Sequence, residues 1–133
     1  MNLVVDTGVF SASLSRRVST LSPLVQRLSG NQLFLASVTI AELRFGALVA
    51  GWGDARRQRL EEGIQSTTVV PVTDALLTEV AEFRFVCREV GHPLAGRVHA
   101  NDLWVAASAI HIGAPLVTAD GVFADAPGLT LLR

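Results

Sequence analysis

The chain contains no lysine, and all eleven of its basic residues are arginines. This absence excludes Walker A phosphate binding, Schiff-base chemistry and phosphoryl transfer that depends on a lysine. Cysteine is nearly absent too, because Cys87 is the single one. A lone cysteine cannot form an internal disulfide, which is typical of proteins in a reducing cytoplasm.

Long apolar runs and an excess of positive charge are also missing. Half of the residues are hydrophobic and the mean hydropathy is +0.42, yet no run approaches the roughly 18 apolar residues that a membrane span needs. Met1 and Asn2 lead directly into an apolar stretch, so we expect no secretory signal, no membrane association and a cytoplasmic location. The net charge is −1, so any binding of nucleic acid has to rest on a local basic patch.

The length of 133 residues predicts one domain, residues 1–133, with a substantial buried core. Short aliphatic segments alternate with helical patterns along the whole chain, which predicts a parallel α/β sheet. The longest predicted helix runs from Asp74, capped by Thr73, to Val90, and Gly91 ends it. The predicted strands cover residues 3–5, 33–36, 68–70, 115–118 and 129–132, the last of these at an edge of the sheet.

Two acids follow predicted strands directly. Asp6 ends the first strand and precedes Gly8, while Asp120 follows the fourth strand and precedes Gly121. In a parallel sheet the carboxyl ends of the strands lie at one edge, where ligands bind in open α/β folds. Each acid alone is also explained as a turn-former or as a helix N-cap.

Two further acids lie near predicted helix starts, which return to the same sheet edge. Glu42 follows Thr39 in a pattern typical of a capping box, with Thr39 as N-cap. Asp102 opens a strongly apolar helix, where its charge interacts favourably with the helix dipole. Acids on such hydrophobic elements lie near the core, and clustered like charges there repel each other unless a cation intervenes. Four converging carboxylates without lysine predict a site for Mg²⁺ or Mn²⁺, and this chemistry suits hydrolysis of phosphodiesters.

Four segments of the chain resemble the motifs of the PIN-domain family, in particular its VapC-type ribonuclease toxins. They are VVDTGVF around Asp6, VTIAELRFGA around Glu42, ANDLWVAASA around Asp102 and GAPLVTADGVF around Asp120. They occur in the family's order and with its spacing across almost the whole chain. The resemblance implies a three-layer α/β/α domain with a five-stranded parallel sheet. It also implies an endoribonuclease that uses Mg²⁺ or Mn²⁺.

By motif match, Asp6, Glu42, Asp102 and Asp120 become the catalytic and metal-binding acids. Thr118 matches a polar position before the last acid, and Thr7 and Asn101 are candidates to assist the acids, with local turns and caps as the alternative. The resemblance further implies an RNA substrate, a homodimer and an antitoxin partner that blocks the acidic site. Many relatives carry another acid or an asparagine close after the last acid, whereas the next acid here is Asp125, which leaves a second metal open.

Binding of RNA requires cations as well as the acids. The run Arg56, Arg57 and Arg59 could contact phosphates, or it could pair with acids on a solvated helix face. Arg44 and Arg97 are further candidates because they lie near Glu42 and Asp102 in the sequence. The three histidines lack metal-ligand spacing and are interpreted as structural or surface residues.

Two other functions compete with that of a ribonuclease toxin. A catalytically inactive PIN-like module that binds RNA or protein is one, although the complete set of acids argues against it. A phosphotransfer receiver domain is also small, parallel and acidic, but that family uses a lysine, which this chain does not have.

Overall fold

A computed structural model describes residues 1–15 and 17–132. Within these residues helices and strands alternate as the sequence predicts. Three short 3-10 turns, at Pro93–Ala95, Arg97–His99 and Gly121–Phe123, lie in the later part of the chain. The strands and helices are β1 (Asn2–Val5), α1 (Thr7–Leu14), α2 (Ser22–Gln26), β2 (Gln32–Ala36), α3 (Ser37–Val49), α4 (Asp54–Gln65), β3 (Thr68–Val70), α5 (Asp74–Val90), α6 (Ala100–Ile112) and β4 (Leu116–Val117).

The described strands form one four-stranded parallel sheet in the order β3-β2-β1-β4. β1 therefore lies in the interior of the sheet, and β3, which Pro71 follows, lies at an edge. Proline cannot donate a backbone hydrogen bond, which suits it to this position. All four strands point their carboxyl ends to the same side, so the residues that follow them meet there.

The predicted fifth strand at 129–132 is wrong as a strand, because the sheet has four strands rather than five. The segment makes an isolated parallel bridge between Leu131 and Leu116. Two backbone hydrogen bonds hold it, from the Leu116 amide to the Thr130 carbonyl and from the Leu132 amide to the Leu116 carbonyl, each 2.9 Å long. β4 is only two residues long, so it offers little backbone for a longer ladder.

Two hydrophobic clusters cover the two faces of the sheet and create three layers. Successive strand residues point to opposite faces. Val4 accordingly packs into the cluster formed with α5 and α6, while Leu3 and Val5 pack into the cluster formed with α1, α3 and α4. Both faces of β1 are thus buried, as the continuous aliphatic run predicts.

The helix boundaries correct one sequence prediction. α3 begins at Ser37, directly after β2, and its N-cap is Ala36. Thr39 is therefore inside the first turn, fully buried, and its hydroxyl has no hydrogen-bond partner among the described residues. The capping box with Thr39 is wrong, and Glu42 lies in the second turn of α3.

The predictions for α5 and α6 agree with the structure to within two residues. The Thr73 side chain caps α5 by accepting a hydrogen bond from the Leu76 amide at 3.1 Å. Gly91 ends α5 in the left-handed conformation, with φ of 72°. α6 begins two residues earlier than predicted, at Ala100. None of the helices in the described part of the chain is long and apolar enough to cross a membrane.

Candidate active site

Asp6 and Asp120 lie side by side because they follow neighbouring strands. β1 and β4 are paired in parallel, with Val5 opposite Val117. The pairing extends one residue further, since the Asp6 amide donates to the Val117 carbonyl at 3.2 Å. The chain thereby places the carboxylate of Asp6 next to the segment that carries Thr118 and Asp120.

Glu42 and Asp102 reach the same edge from two helices. β2 runs directly into α3, so the beginning of α3, with Glu42, lies at the carboxyl edge of the sheet. Asp102 is in the first turn of α6. The four acids line one pocket of about 220 Å³, together with Thr7 and Gly8. The predicted convergence of the four acids is present in the structure.

Hydrogen bonds fix two of these carboxylates. Oδ1 of Asp6 accepts from the Val9 amide at 2.9 Å, and Oδ2 accepts from the Thr118 hydroxyl. The Thr118 hydroxyl in turn accepts from the Asp120 amide at 3.0 Å. Thr7 donates its hydroxyl to Oε1 of Glu42 at 3.0 Å. Thr7 and Thr118 thus contact the acids as predicted.

Asn101 does not join this network. Its side chain is exposed, and among the described residues it makes no hydrogen bond to the four acids. The alternative interpretation of the strand-end acids also holds in part. Asp6 caps α1 through the Val9 amide, and Asp120 caps the turn Gly121–Phe123 through the Val122 amide at 3.0 Å. Capping and a place in the pocket are therefore compatible for both residues.

The pKa values of two of the acids, Asp6 and Asp102, are raised, so the fold disfavours their ionised forms. Burial raises the pKa of Asp6 above its ordinary value, hydrogen bonds from Thr118 and Val9 lower it, and the charges of Asp120 and Glu42 raise it. Burial also raises the pKa of Asp102, and the charge of Asp120 adds to this effect. A site that disfavours its own negative charge gains from a bound cation.

His99 is a site neighbour that the sequence interpretation missed. Its Nδ1 lies 3.5 Å from Oδ2 of Asp102, and this contact lowers the pKa of Asp102 against the effect of burial. The separation of three residues at the start of a helix was the available signal. His92, by contrast, is structural, since Nδ1 accepts from the Leu94 amide and Nε2 contacts the Ala124 carbonyl at 2.9 Å.

The donor set fits a hard divalent cation by its chemistry. Carboxylate oxygens are the ligands that Mg²⁺ and Mn²⁺ prefer, and the pocket brings four carboxylates to its walls. Within residues 1–15 and 17–132, no three acidic, histidine or cysteine side chains are already gathered tightly enough to hold one ion. Mg²⁺ usually keeps several of its waters and takes only one or two carboxylates directly, so binding of Mg²⁺ does not depend on three such side chains being gathered in advance.

The five candidate arginines have different surroundings. Arg44 is paired with Glu61 at 2.7 Å, and Arg57 is paired with Asp54 at 3.4 Å. Arg56 instead lies over the ring of Trp52, 3.9 Å from its centroid. Arg59 and Arg97 are exposed.

Comparison with known proteins agrees with this architecture. The PIN-domain family model matches residues 3–129. Over 127 residues, 94% of this chain and 87% of the relative, the sequence is 37% identical to ribonuclease VapC5 of Mycobacterium tuberculosis.

Solved structures show the same fold. The VapBC-5 toxin–antitoxin structure from M. tuberculosis matches with a TM-score of 0.70 and 32% identity, covering 99% of this chain and 98% of that one. The VapBC2 structure from Rickettsia felis, solved with a promoter DNA fragment, matches with a TM-score of 0.80 and 21% identity, covering 99% and 98%. The chain belongs to the PIN-domain family.

Proposed function

We propose that this protein is a metal-dependent endoribonuclease, the toxin of a toxin–antitoxin pair, that hydrolyses RNA phosphodiesters with water. The observation that carries the proposal is the single pocket walled by Asp6, Glu42, Asp102 and Asp120. The similarity to ribonuclease VapC5 supports RNA as the substrate.

Asp6, Glu42, Asp102 and Asp120 would hold the ion, Mg²⁺ or Mn²⁺. A divalent ion bound there supplies Lewis-acid activation of water and neutralises charge on the phosphate. Burial first, and then the charges of neighbouring acids, raise the pKa of Asp6 and of Asp102, and a cation held by these residues would offset both effects. Asp125, the next acid in the sequence after Asp120, does not line the pocket and would not hold an ion there.

The surrounding polar groups orient the acids. Thr118 and the Val9 amide hold the two oxygens of Asp6, which leaves the remaining lone pairs of both oxygens for a ligand. Thr7 does the same for one oxygen of Glu42. Such outer partners of metal-binding carboxylates typically contribute about 10–100-fold to metal affinity or activity.

Cleavage of RNA by the purified protein tests the proposal. We expect cleavage of total cellular RNA in Mg²⁺ or Mn²⁺, none after chelation by EDTA, and recovery when the metal is restored. Asp6→Asn is the control for contaminating nuclease, because asparagine keeps the oxygen that caps α1 and loses the charge. If the parent cuts no RNA with either metal, or if Asp6→Asn cuts equally well, the proposal fails, and an inactive binding module becomes the better account.

An antitoxin partner is part of the same proposal, supported by the toxin–antitoxin structures among the relatives. We expect it to cover the acidic pocket and to suppress cleavage, and we expect the toxin to be a homodimer. Expression of the chain alone should arrest growth, and co-expression of the neighbouring gene should relieve the arrest. Growth arrest that Asp6→Asn causes equally would contradict a toxic role of the nuclease site.

A further inference from the structure

An open groove of about 1100 Å³ lies beside the acidic pocket. Its walls come from α1, from residues 15, 17–19 and 21 after that helix, and from α4, with Trp52 between α3 and α4. Leu21 lines both the groove and the acidic pocket. A chain molecule whose scissile bond sits in the pocket can therefore continue into the groove.

The charge of the groove is opposite to that of the pocket. Arg17, Arg56 and Arg59 line it, and no acidic residue does. In the part of the chain that the structure describes, none of these three arginines forms an ion pair with a carboxylate. Arg57, on the same helix, is absent from the groove lining and is paired with Asp54. α4 thus directs two of its cations into the groove and neutralises the third.

Trp52 holds one of these cations in place. Arg56 lies 3.9 Å from the centroid of the indole ring, and Trp52 itself packs against the core cluster beneath it. A planar guanidinium that is already stacked loses less conformational freedom on binding than a free one. It can pair with a phosphate or stack on a base.

We propose that this groove, named here the Trp52–Arg56 groove, binds the single-stranded RNA that flanks the cleavage site; this rests on the proposed ribonuclease function. Cationic grooves with aromatic platforms are the usual means of binding single strands without sequence preference. Without a bound cation the four acids of the pocket repel phosphates, so in that state affinity for RNA has to come from an adjacent surface. An acidic polypeptide such as the proposed antitoxin would satisfy the charge as well, and the peptide probe below distinguishes it from RNA. The guanidinium of Arg56 stacked on Trp52, beside a pocket walled by four acids, favours RNA as the occupant.

Binding of a fluorescein-labelled single-stranded RNA of mixed sequence, measured by polarisation in EDTA, tests the groove. We expect Arg56→Ala and Arg59→Ala each to weaken binding about 5-fold or more, and each to reduce the slope of log Kd against log salt by roughly 0.7. Arg57→Ala is the matched control, with the same change of charge on the same helix. Thermal unfolding of each variant establishes that it is folded.

The proposal is overturned if Arg56→Ala and Arg59→Ala bind the RNA as tightly as the parent does. It is also overturned if Arg57→Ala loses as much affinity for the RNA as the two groove variants. An oligoglutamate peptide serves as a second probe. If the groove variants lose the peptide while binding RNA normally, the groove belongs to an acidic protein partner and the proposal is overturned. The assay needs no cleavage, so it stands apart from the proposed function: a parent that cuts RNA while its groove variants bind normally refutes the groove alone.

Discussion

Thr118 donates a hydrogen bond from its hydroxyl to Oδ2 of Asp6, which lies 112 positions earlier in the sequence. The same hydroxyl accepts from the Asp120 amide at 3.0 Å. One side chain therefore links the acid that follows β1 to the acid that follows β4. The bond is possible because the two strands are neighbours in the sheet.

Removing this hydroxyl should impair the site without unfolding the protein. We expect Thr118→Val to lower the rate of RNA cleavage and the affinity for Mn²⁺ by about 10–100-fold. Thr118→Ser keeps the hydroxyl and should remain within a few-fold of the parent. Calorimetric titration with Mn²⁺ and a cleavage time course measure the two effects. Equal activity of the valine and serine variants would show that the link to Asp6 does not matter.

The hydrogen bond from Thr7 to Glu42 leads to a second prediction of the same kind. Thr7→Val removes the donor that lies 3.0 Å from Oε1 of Glu42, and we expect cleavage to fall by about 10-fold. Thr7→Ser is the matched control. A valine variant that cleaves like the serine variant would mean that Glu42 is oriented by other groups.

The acids should make stability depend on pH and on metal. Because the pKa of Asp6 is raised in the folded protein, the folded state binds a proton at Asp6 more tightly than the unfolded state does. Protonated Asp6 therefore stabilises the fold fully below the ordinary pKa of 3.8, and this stabilisation is lost as the pH rises through the folded-state pKa. In EDTA, Asp6→Asn should therefore be more stable than the parent at pH 7, and the gap should close as the pH falls toward 4.

Added metal should reverse this order, because it stabilises the parent more than the variant. Urea unfolding at pH 7 and pH 4, with EDTA or with Mg²⁺, measures each free energy of unfolding. If the variant is less stable than the parent in EDTA at pH 7, the fold stabilises the charge of Asp6, which contradicts a raised pKa for this residue.

Two glycines, one at the end of a helix and one inside a helix, should respond in opposite directions to replacement by alanine. Gly91 ends α5 at a φ of 72°, so Gly91→Ala should lower the free energy of unfolding by about 1–2 kcal/mol. Gly46 lies inside α3, with open space where an added methyl group would lie, so Gly46→Ala should raise it by about 0.5–1 kcal/mol. Urea unfolding of both variants checks the signs. Equal effects at the two positions would contradict the assigned helix end.

Much of the fold could be predicted because local patterns and tertiary structure agree. The run before Asp6 is aliphatic on both faces and forms an interior strand. The Thr73 hydroxyl caps the start of α5, and Gly91 ends this helix because glycine readily adopts the left-handed conformation. The prediction of a fifth strand was wrong because β4, to which this segment bridges in the described part of the chain, is only two residues long. The spacing of Thr39 and Glu42 fits a capping box, but α3 already begins at Ser37, so Thr39 lies inside its first turn.

The positions of the four acids could be predicted from the sequence, but the contacts of the other candidate residues could not. Acids that follow strands or begin helices can be assigned to a sheet edge from the sequence alone. The partners of the arginines cannot, because Arg44 meets Glu61 across 17 positions and Arg56 meets a tryptophan rather than an acid. Likewise, Asn101 has the residue type of a site group, but its side chain is exposed to solvent.

The most direct test of the acidic centre compares two conservative variants in one cleavage assay with Mg²⁺. Asp102 lines the pocket, whereas Asp125 does not and lies at a positive φ of 59° that asparagine tolerates well. We predict that Asp102→Asn loses at least about 100-fold in cleavage rate, while Asp125→Asn stays within about 2-fold of the parent because it lies outside the pocket. Full activity of Asp102→Asn would contradict the assignment of catalysis to the four-acid pocket.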